Sequence, residues 1–103
     1  MEKEYKIRYL PIAVLDMQSI IDYITVELKA YKAALNLLVK FEKAISSLKD
    51  FPQSGVRYKR DRQLDFDYRM LMVENYIVFY TVLEDTVEIE RVIYSRRKLD
   101  EFL

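Results

Sequence analysis

The sequence contains no cysteine and no histidine among its 103 residues. Without these side chains the chain cannot build thiolate or imidazole metal sites, Ser-His-Asp triads or cysteine nucleophiles. Its single glycine, Gly55, cannot form a glycine-rich phosphate loop, which argues against nucleotide-dependent enzymes. Any catalysis has to use carboxylates, Lys, Arg, Tyr, Ser or Thr. We therefore expect no bound metal and no cofactor.

Proline is nearly as scarce as glycine, with two residues, and no apolar run approaches the roughly 18 residues of a membrane span. The residues after Met1 form no signal-peptide pattern, so we expect a cytoplasmic protein that makes no membrane contact. Because 51% of the residues are apolar, a chain of this length can bury one core. We expect a single domain over residues 1–103.

Positive and negative charges balance, with 17 basic and 17 acidic residues, so the chain as a whole is not drawn to phosphates. Only local basic clusters are candidates for target contacts, and they occur after the single glycine and near the C-terminus. The candidate target-binding residues are Arg57, Lys59, Arg60, Arg62, Arg91 and Arg96.

Apolar periodicity predicts a strand followed by two helices. Tyr5–Leu10 alternates weakly between aromatic or apolar and charged side chains, which indicates a strand that Pro11 ends. Two series of apolar residues at steps of three and four then predict a helical hairpin whose stripes face the core. The first series is Val14, Met17, Ile21, Ile24 and Leu28, and the second is Ala34, Leu38, Phe41, Ile45 and Leu48.

The second half of the chain predicts an antiparallel meander. Phe51-Pro52 ends the second helix, and Gln53–Asp67 is expected to be a polar, basic loop. The three predicted strands are Tyr68–Val73, Tyr76–Leu83 and Val87–Tyr94. Apolar residues change face after Ile89, which indicates a bulge or strong twist.

These elements predict an α+β fold with the order β-α-α-β-β-β. A helical hairpin packs on a four-stranded, mainly antiparallel sheet, and the first strand pairs at an edge of the meander. Asn75 in the turn before the second meander strand tolerates positive φ.

Four stretches occur together in a characteristic order, and the last of them is the most specific. They are Ile45–Gly55, Tyr68–Leu71, Tyr76–Tyr80 and Val87–Arg97. Over nearly its whole length the chain resembles the RelE/ParE superfamily, the toxins of bacterial type II toxin–antitoxin systems. The resemblance implies the fold given above, growth inhibition and, for plasmid-borne modules, plasmid stabilisation.

The resemblance also implies a protein partner. Such toxins are held inactive by a cognate antitoxin that lays an extended or helical segment over the toxin surface, and DNA is contacted only through the antitoxin. Aromatic residues such as Tyr5, Tyr9 and Tyr94 are candidates for that contact.

The superfamily includes gyrase poisons and ribosome-dependent mRNA endonucleases. In RelE-like nucleases an Arg follows the Tyr that opens the third strand, whereas here the pair is Tyr76-Ile77, and the chain has neither a terminal Tyr nor any His. These departures and the neutral net charge favour a ParE-like toxin that docks on a replication enzyme such as DNA gyrase. The alternatives are a metal-independent endoribonuclease acting on ribosome-bound mRNA and a degenerate, non-toxic binding partner.

A nuclease would use Arg69 and Arg97 to clamp the phosphate and Tyr94 for proton transfer, provided that these residues converge on one sheet face. Each residue also has a structural interpretation. Arg69 and Arg91 are expected to pair with Glu88 or Glu90 on the sheet, and Tyr94 is expected to be a half-buried strand aromatic.

Overall fold

The computed structural model describes residues 4–58 and 67–96, in which two α-helices pack on a five-stranded sheet. In chain order the elements are β1 Lys6–Tyr9, α1 Pro11–Asp22, a π-helical turn Tyr23–Glu27, α2 Tyr31–Ser47, β2 Val56–Arg57, β3 Arg69–Val73, β4 Tyr76–Leu83 and β5 Thr86–Tyr94. Within these described ranges, no helix is both long and apolar enough to span a bilayer.

The sheet has the strand order β1-β5-β4-β3-β2, and only the β1–β5 pair is parallel. The predicted α+β fold and the edge position of the first strand are therefore confirmed. The predicted strand count was one too low, because the expected loop Gln53–Asp67 contains the short strand β2. Two residues opposite β3 are too few to show period-two alternation in the sequence.

The main core lies between the helices and one face of the sheet. Its fully buried members come from α1, from α2 and its C-cap residue, and from the two longest strands, and they include Ala13, Phe41, Ile45, Leu48, Val78, Tyr80, Val87 and Ile89. A smaller cluster of Ile77, Phe79 and Ile93 lies on the opposite sheet face, where the Tyr58 ring meets the Phe79 ring edge-on. Strand β4 is thus apolar on both faces, as its nearly continuous apolar run requires, and β5 contributes Ile93 to the second cluster.

The predicted helical stripes were only partly right. Val14 and Leu28 are 49% and 56% exposed, whereas Ala13 is fully buried. Apolar residues occupy every position from Ile12 to Leu15, so periodicity alone cannot select the buried face of α1. The helix then passes through a π-helical turn, which changes the angular spacing of the residues that follow. In α2, Leu37 is buried more fully than the predicted Leu38.

Two-residue turns join the three meander strands, as the register pairs Val73–Tyr76 and Leu83–Thr86 demonstrate. Positive φ was anticipated at Asn75, but it occurs at Glu74 with φ 54°. The predicted bulge after Ile89 is confirmed. Tyr80 pairs with Ile89 while Phe79 pairs with Arg91, so Glu90 is the extra residue.

The single glycine lies where no other residue fits. Its backbone N–H donates to the Tyr80 hydroxyl at 2.9 Å in a buried hydrogen bond. A Cβ built on Gly55 would lie 2.6 Å from that hydroxyl oxygen and 2.8 Å from the Met70 carbonyl oxygen. The close approach of these backbone segments therefore excludes a side chain.

Gly55→Ala is expected to lower the free energy of unfolding by about 1–3 kcal/mol, because the added methyl group must displace the Tyr80 ring or the β3 backbone. Urea denaturation would measure the loss. Ser46→Ala, at an exposed position of α2, serves as the control and should change stability by less than about 0.5 kcal/mol. Equal stability of the two variants would contradict the steric argument.

Candidate functional site

Arg69 fastens the turn between α2 and β2. Its Nη1 donates to the Gly55 carbonyl at 3.0 Å and to the Gln53 carbonyl at 3.4 Å, while its Nη2 donates to Gln53 Oε1 at 3.1 Å. The side chain is 15% exposed. The expected pairing of Arg69 with Glu88 or Glu90 was wrong, because those residues lie on β5, with β4 between β3 and β5.

Arg57 is the one residue of the first basic cluster in the described part of the chain. It lies opposite Arg69 in the β2–β3 register, and like charges directly across strands repel. Asp67 relieves this repulsion: one oxygen accepts from Arg57 Nε at 2.8 Å, and the other lies 3.7 Å from Arg69 Nη2. Arg57 keeps 62% of its side chain exposed. It therefore remains available to a partner that offers a competing carboxylate.

Arg91 is bound to the first helix. Its Nε and Nη2 donate to the two oxygens of Asp16 at 2.8 and 3.0 Å, and this bidentate bond raises the pKa of Arg91. The expected pairing of Arg91 with Glu88 or Glu90 was therefore wrong as well. Asp16 was missed by sequence analysis, although it is the only charged residue between Leu10 and Ile21.

Asp16 also completes the edge of the sheet. Just after β1, the Leu10 N–H donates a hydrogen bond to the Ile89 carbonyl of β5 at 3.0 Å. Beyond that point the Val92 N–H donates to Asp16 Oδ2 at 2.9 Å. A helix carboxylate therefore takes the place of the missing strand, which satisfies a backbone donor that would otherwise lie on an open edge.

Tyr94 lies beside this pair at the end of β5. A cavity of about 290 Å³ is lined by Tyr94 and Tyr76 together with Asp16, Ser19 and Arg91. The Tyr94 and Tyr76 rings meet edge-on with centroids 5.7 Å apart, and Tyr94 is 38% exposed. The structure thus brings Arg91 and Tyr94 together, and it agrees with the expectation of a half-buried strand aromatic.

The structure does not bring Arg69 and Tyr94 together. Arg69 is opposite Tyr80 in the register and Tyr94 is opposite Tyr76, so the two rows are four residues apart along β4. That spacing corresponds to about 14 Å along the strands, with about 10 Å more across two strand spacings. The Arg69 guanidinium is moreover directed at Gln53 and Gly55 rather than toward Tyr94. The remaining candidates Lys59, Arg60, Arg62 and Arg97 lie outside the described residues, and Arg96 is exposed just beyond β5.

The two glutamates of β5 form their own cluster on the sheet. The hydrogen bond with Glu90, and then the hydrogen bond with Arg8 of β1, lower the pKa of Glu88. Arg8 Nε donates to Glu88 Oε2 at 2.8 Å. Burial, followed by the hydrogen bond and charge of Glu88, raises the pKa of Glu90 to about 7. The Thr81 hydroxyl on β4 opposes that rise. The pair therefore shares one proton near neutral pH.

An apolar groove of about 380 Å³ runs between the helices beside β1. It is lined by Tyr9, Val14, Met17, Gln18, Ile21, Asp22 and Leu38. Burial and the charge of Glu42 raise the pKa of Tyr9 at its border. The acidic Asp22 lines the groove, and the acidic Glu42 acts on Tyr9 at its border.

The sequence was compared with protein-family models, and residues 7–99 match the model for the ParE toxin of the type II toxin–antitoxin system parDE. The chain belongs to this ParE toxin family. No curated protein matches the sequence significantly.

Two solved toxin–antitoxin structures share the fold of this chain. The chromosomal ParDE toxin–antitoxin system from P. aeruginosa is similar with a TM-score of 0.70 and 18% identity, covering 88% of this chain and 96% of that one. The toxin–antitoxin complex RelBE2 from Mycobacterium tuberculosis is similar with a TM-score of 0.58 and 20% identity, covering 91% of this chain and 94% of that one. At these identities the likeness describes the fold.

The Glu88–Glu90 pair predicts that this ParE-family chain loses stability as pH rises. The pKa of Glu90 is about 7 when folded, against an ordinary value of 4.5, so between these values the native state holds a proton that the unfolded state has lost. The free energy of unfolding should fall across pH 4.5–7. We expect the free energy of unfolding to fall by only about 1–2 kcal/mol, because solvent partly screens the carboxyl.

Glu90→Gln should remove most of this decline, since an amide cannot ionise. Urea denaturation at pH 5 and pH 8 measures the difference. Glu27→Gln, which alters an exposed carboxyl of the π-helical turn, is the matched control and should retain the wild-type slope. A slope in Glu90→Gln equal to that of wild type would exclude Glu90 as its source.

Proposed function

We propose that this chain is the toxin of a type II toxin–antitoxin module and that it stops growth by docking on a replication enzyme such as DNA gyrase. Family membership supports the toxin role. The separation of Arg69 from Tyr94 carries the argument for docking, because the two residues lie four positions apart along β4 and Arg69 is bound to Gln53 and Gly55 instead of being directed at a shared phosphate.

The bonding of the two arginines supports the same proposal. Arg69 uses its donors on Gln53 and Gly55, and Arg91 uses Nε and Nη2 on Asp16. A guanidinium that stabilises a transition state must direct its donors at the reacting phosphate. Redirecting either one would leave a partly buried carboxylate or carbonyl without its partner, at a cost of several kcal/mol for the carboxylate.

A nuclease remains the second candidate, since Arg91 and Tyr94 line one cavity and the fold also resembles that of a RelBE complex. In this alternative Tyr94 transfers the proton and the Asp16-bound Arg91 orients the message. The third interpretation, a non-toxic binding partner, predicts normal growth when the folded protein is produced alone.

Induction of the chain without antitoxin should block DNA synthesis within minutes and leave mRNA intact. Tyr94→Phe should preserve the block, because docking does not require the hydroxyl. Thymidine incorporation and primer extension on abundant messages measure the two outcomes in the same culture. Rapid message cleavage that disappears in Tyr94→Phe would reverse the assignment in favour of the nuclease.

The expected partner is an antitoxin, as in the two similar complexes. We propose that its toxin-binding segment is an amphipathic helix seated in the apolar groove, because the groove is apolar and lined mainly by side chains of α1 and α2. The acidic residues Asp22 and Glu42 at its border favour lysine or arginine beside the apolar face of that segment.

Val14→Glu should weaken the antitoxin complex by about tenfold to a hundredfold, because it places a charge in the apolar groove. Leu15→Glu is the matched control: the next residue of α1 is 60% exposed and does not line the groove. Isothermal titration with the antitoxin from the same operon measures both. Equal weakening by the two variants would place the antitoxin elsewhere on α1.

A further inference from the structure

The turn after α2 exposes two large apolar side chains. Val56 and Phe51 are 69% and 68% exposed, the highest values among the large apolar residues of the described chain. Neither lines the groove between the helices. Exposed apolar side chains within a polar segment are a feature of protein contact surfaces. The segment Phe51–Arg57 is called the 51–57 turn below.

Several hydrogen bonds fix the backbone of the 51–57 turn between its exposed residues. The Phe51 N–H donates to the Ser47 carbonyl at 3.0 Å, and the Ser54 N–H donates to the Phe51 carbonyl at 3.1 Å. Pro52 is buried. Arg69 then binds both Gln53 and Gly55, and the buried Tyr80 hydroxyl accepts from the Gly55 N–H.

Different groups of the turn therefore fix its backbone and form its exposed surface. Its inward-facing groups fix the backbone, and its outward-facing Phe51 and Val56 contribute nothing to the core. A rigid backbone loses little conformational entropy when it binds, so aromatic and apolar side chains on it are efficient contact residues. The turn therefore has the properties of a preformed binding loop.

The positive charge of the turn indicates what kind of surface the partner has. Arg57 closes the turn with 62% of its side chain exposed, and it is held by a surface ion pair with Asp67. Such pairs contribute little net stability, so a carboxylate on a partner can replace Asp67 readily. The combination of an aromatic ring, a branched aliphatic side chain and a guanidinium fits a protein surface that has an apolar pocket bordered by acidic residues.

We propose that the 51–57 turn is the surface through which this chain contacts its target protein, with Phe51 in an apolar pocket and Arg57 on an acidic border. The inference rests on the proposed function as a toxin that docks. Arg69 and Tyr80 are positioning residues, which act through the turn that they hold.

The surface is distinct from the proposed antitoxin groove. Leu38, the α2 residue of that groove, precedes the helix end by nine residues, which corresponds to about 14 Å of helix before the turn begins. Substitutions in the turn should consequently affect toxicity and antitoxin binding differently.

The test uses full-length Phe51→Ser and Arg57→Glu. Each should raise the intracellular toxin level needed to halve DNA synthesis by at least about tenfold, as expected for contact residues at the centre of an interface. Antitoxin affinity should stay within about threefold of wild type. Matched controls are Tyr31→Ser, which removes a 64% exposed aromatic ring, and Lys32→Glu, which reverses an exposed charge on α2. Both controls should retain wild-type potency.

Tyr80→Phe tests the positioning role, since it keeps the core ring and removes only the hydroxyl that Gly55 binds. Potency should fall while Phe51 and Arg57 remain present. Amide hydrogen exchange at Gly55, and at Val56 opposite Met70 in the ladder, should accelerate by at least about tenfold. Wild-type exchange together with reduced potency would overturn the proposed role of the hydroxyl.

The outcomes separate this inference from the proposed function. If the wild-type chain leaves DNA synthesis unaffected, the docking function fails and the inference falls with it. If wild type is active and both turn variants are equally potent, the inference alone is overturned. Loss of antitoxin binding in the turn variants would assign the surface to the antitoxin. If only Arg57→Glu loses potency, and it also binds a 30-base-pair DNA duplex more weakly than wild type, the surface would be assigned to nucleic acid.

Discussion

The structure depends on one hydroxyl group that is buried in its core. Tyr80 is fully buried at the centre of β4, and a phenol in that position must find a hydrogen-bond partner. The partner is the Gly55 N–H, which has to approach so closely that no side chain can be present. Burial raises the pKa of Tyr80, so the hydroxyl stays neutral. This contact, together with the bonds from Arg69 to Gln53 and Gly55, fixes the turn between α2 and β2.

Two arginines that the sequence offered as candidates, Arg69 for phosphate clamping and Arg91 for target binding, are bound within the fold. Arg69 secures the turn that Tyr80 positions, and Arg91 secures α1 to β5 through Asp16. Each guanidinium has a rigid set of donors that suits a carboxylate or several carbonyl groups at once. The same geometry that binds phosphate in a nuclease here connects elements far apart in sequence. Residue type alone cannot distinguish the two uses, and only the identity of the acceptor does.

Apart from the short strand β2, the element order could be predicted, as could the meander and the bulge, because they depend on local periodicity and on residues that end helices or turn the chain. Asp16 and Gln53 could not be found as partners, since their roles arise from contacts between distant elements. The buried face of α1 was uncertain for a different reason. Apolar residues from Ile12 to Leu15 satisfy several helical stripes equally well, and the sheet decides among them.

The parallel pairing of β1 with β5 imposes an order of events on synthesis. Lys6 pairs with Thr86 and Tyr9 with Ile89, so the first strand waits for nearly the whole chain before its partner exists. Contacts between such distant residues form late and slowly. A nascent chain on the ribosome therefore cannot complete its sheet, and Asp16 cannot yet bind Arg91. The sheet, and the surface that it carries, therefore form only after β5 has been synthesised.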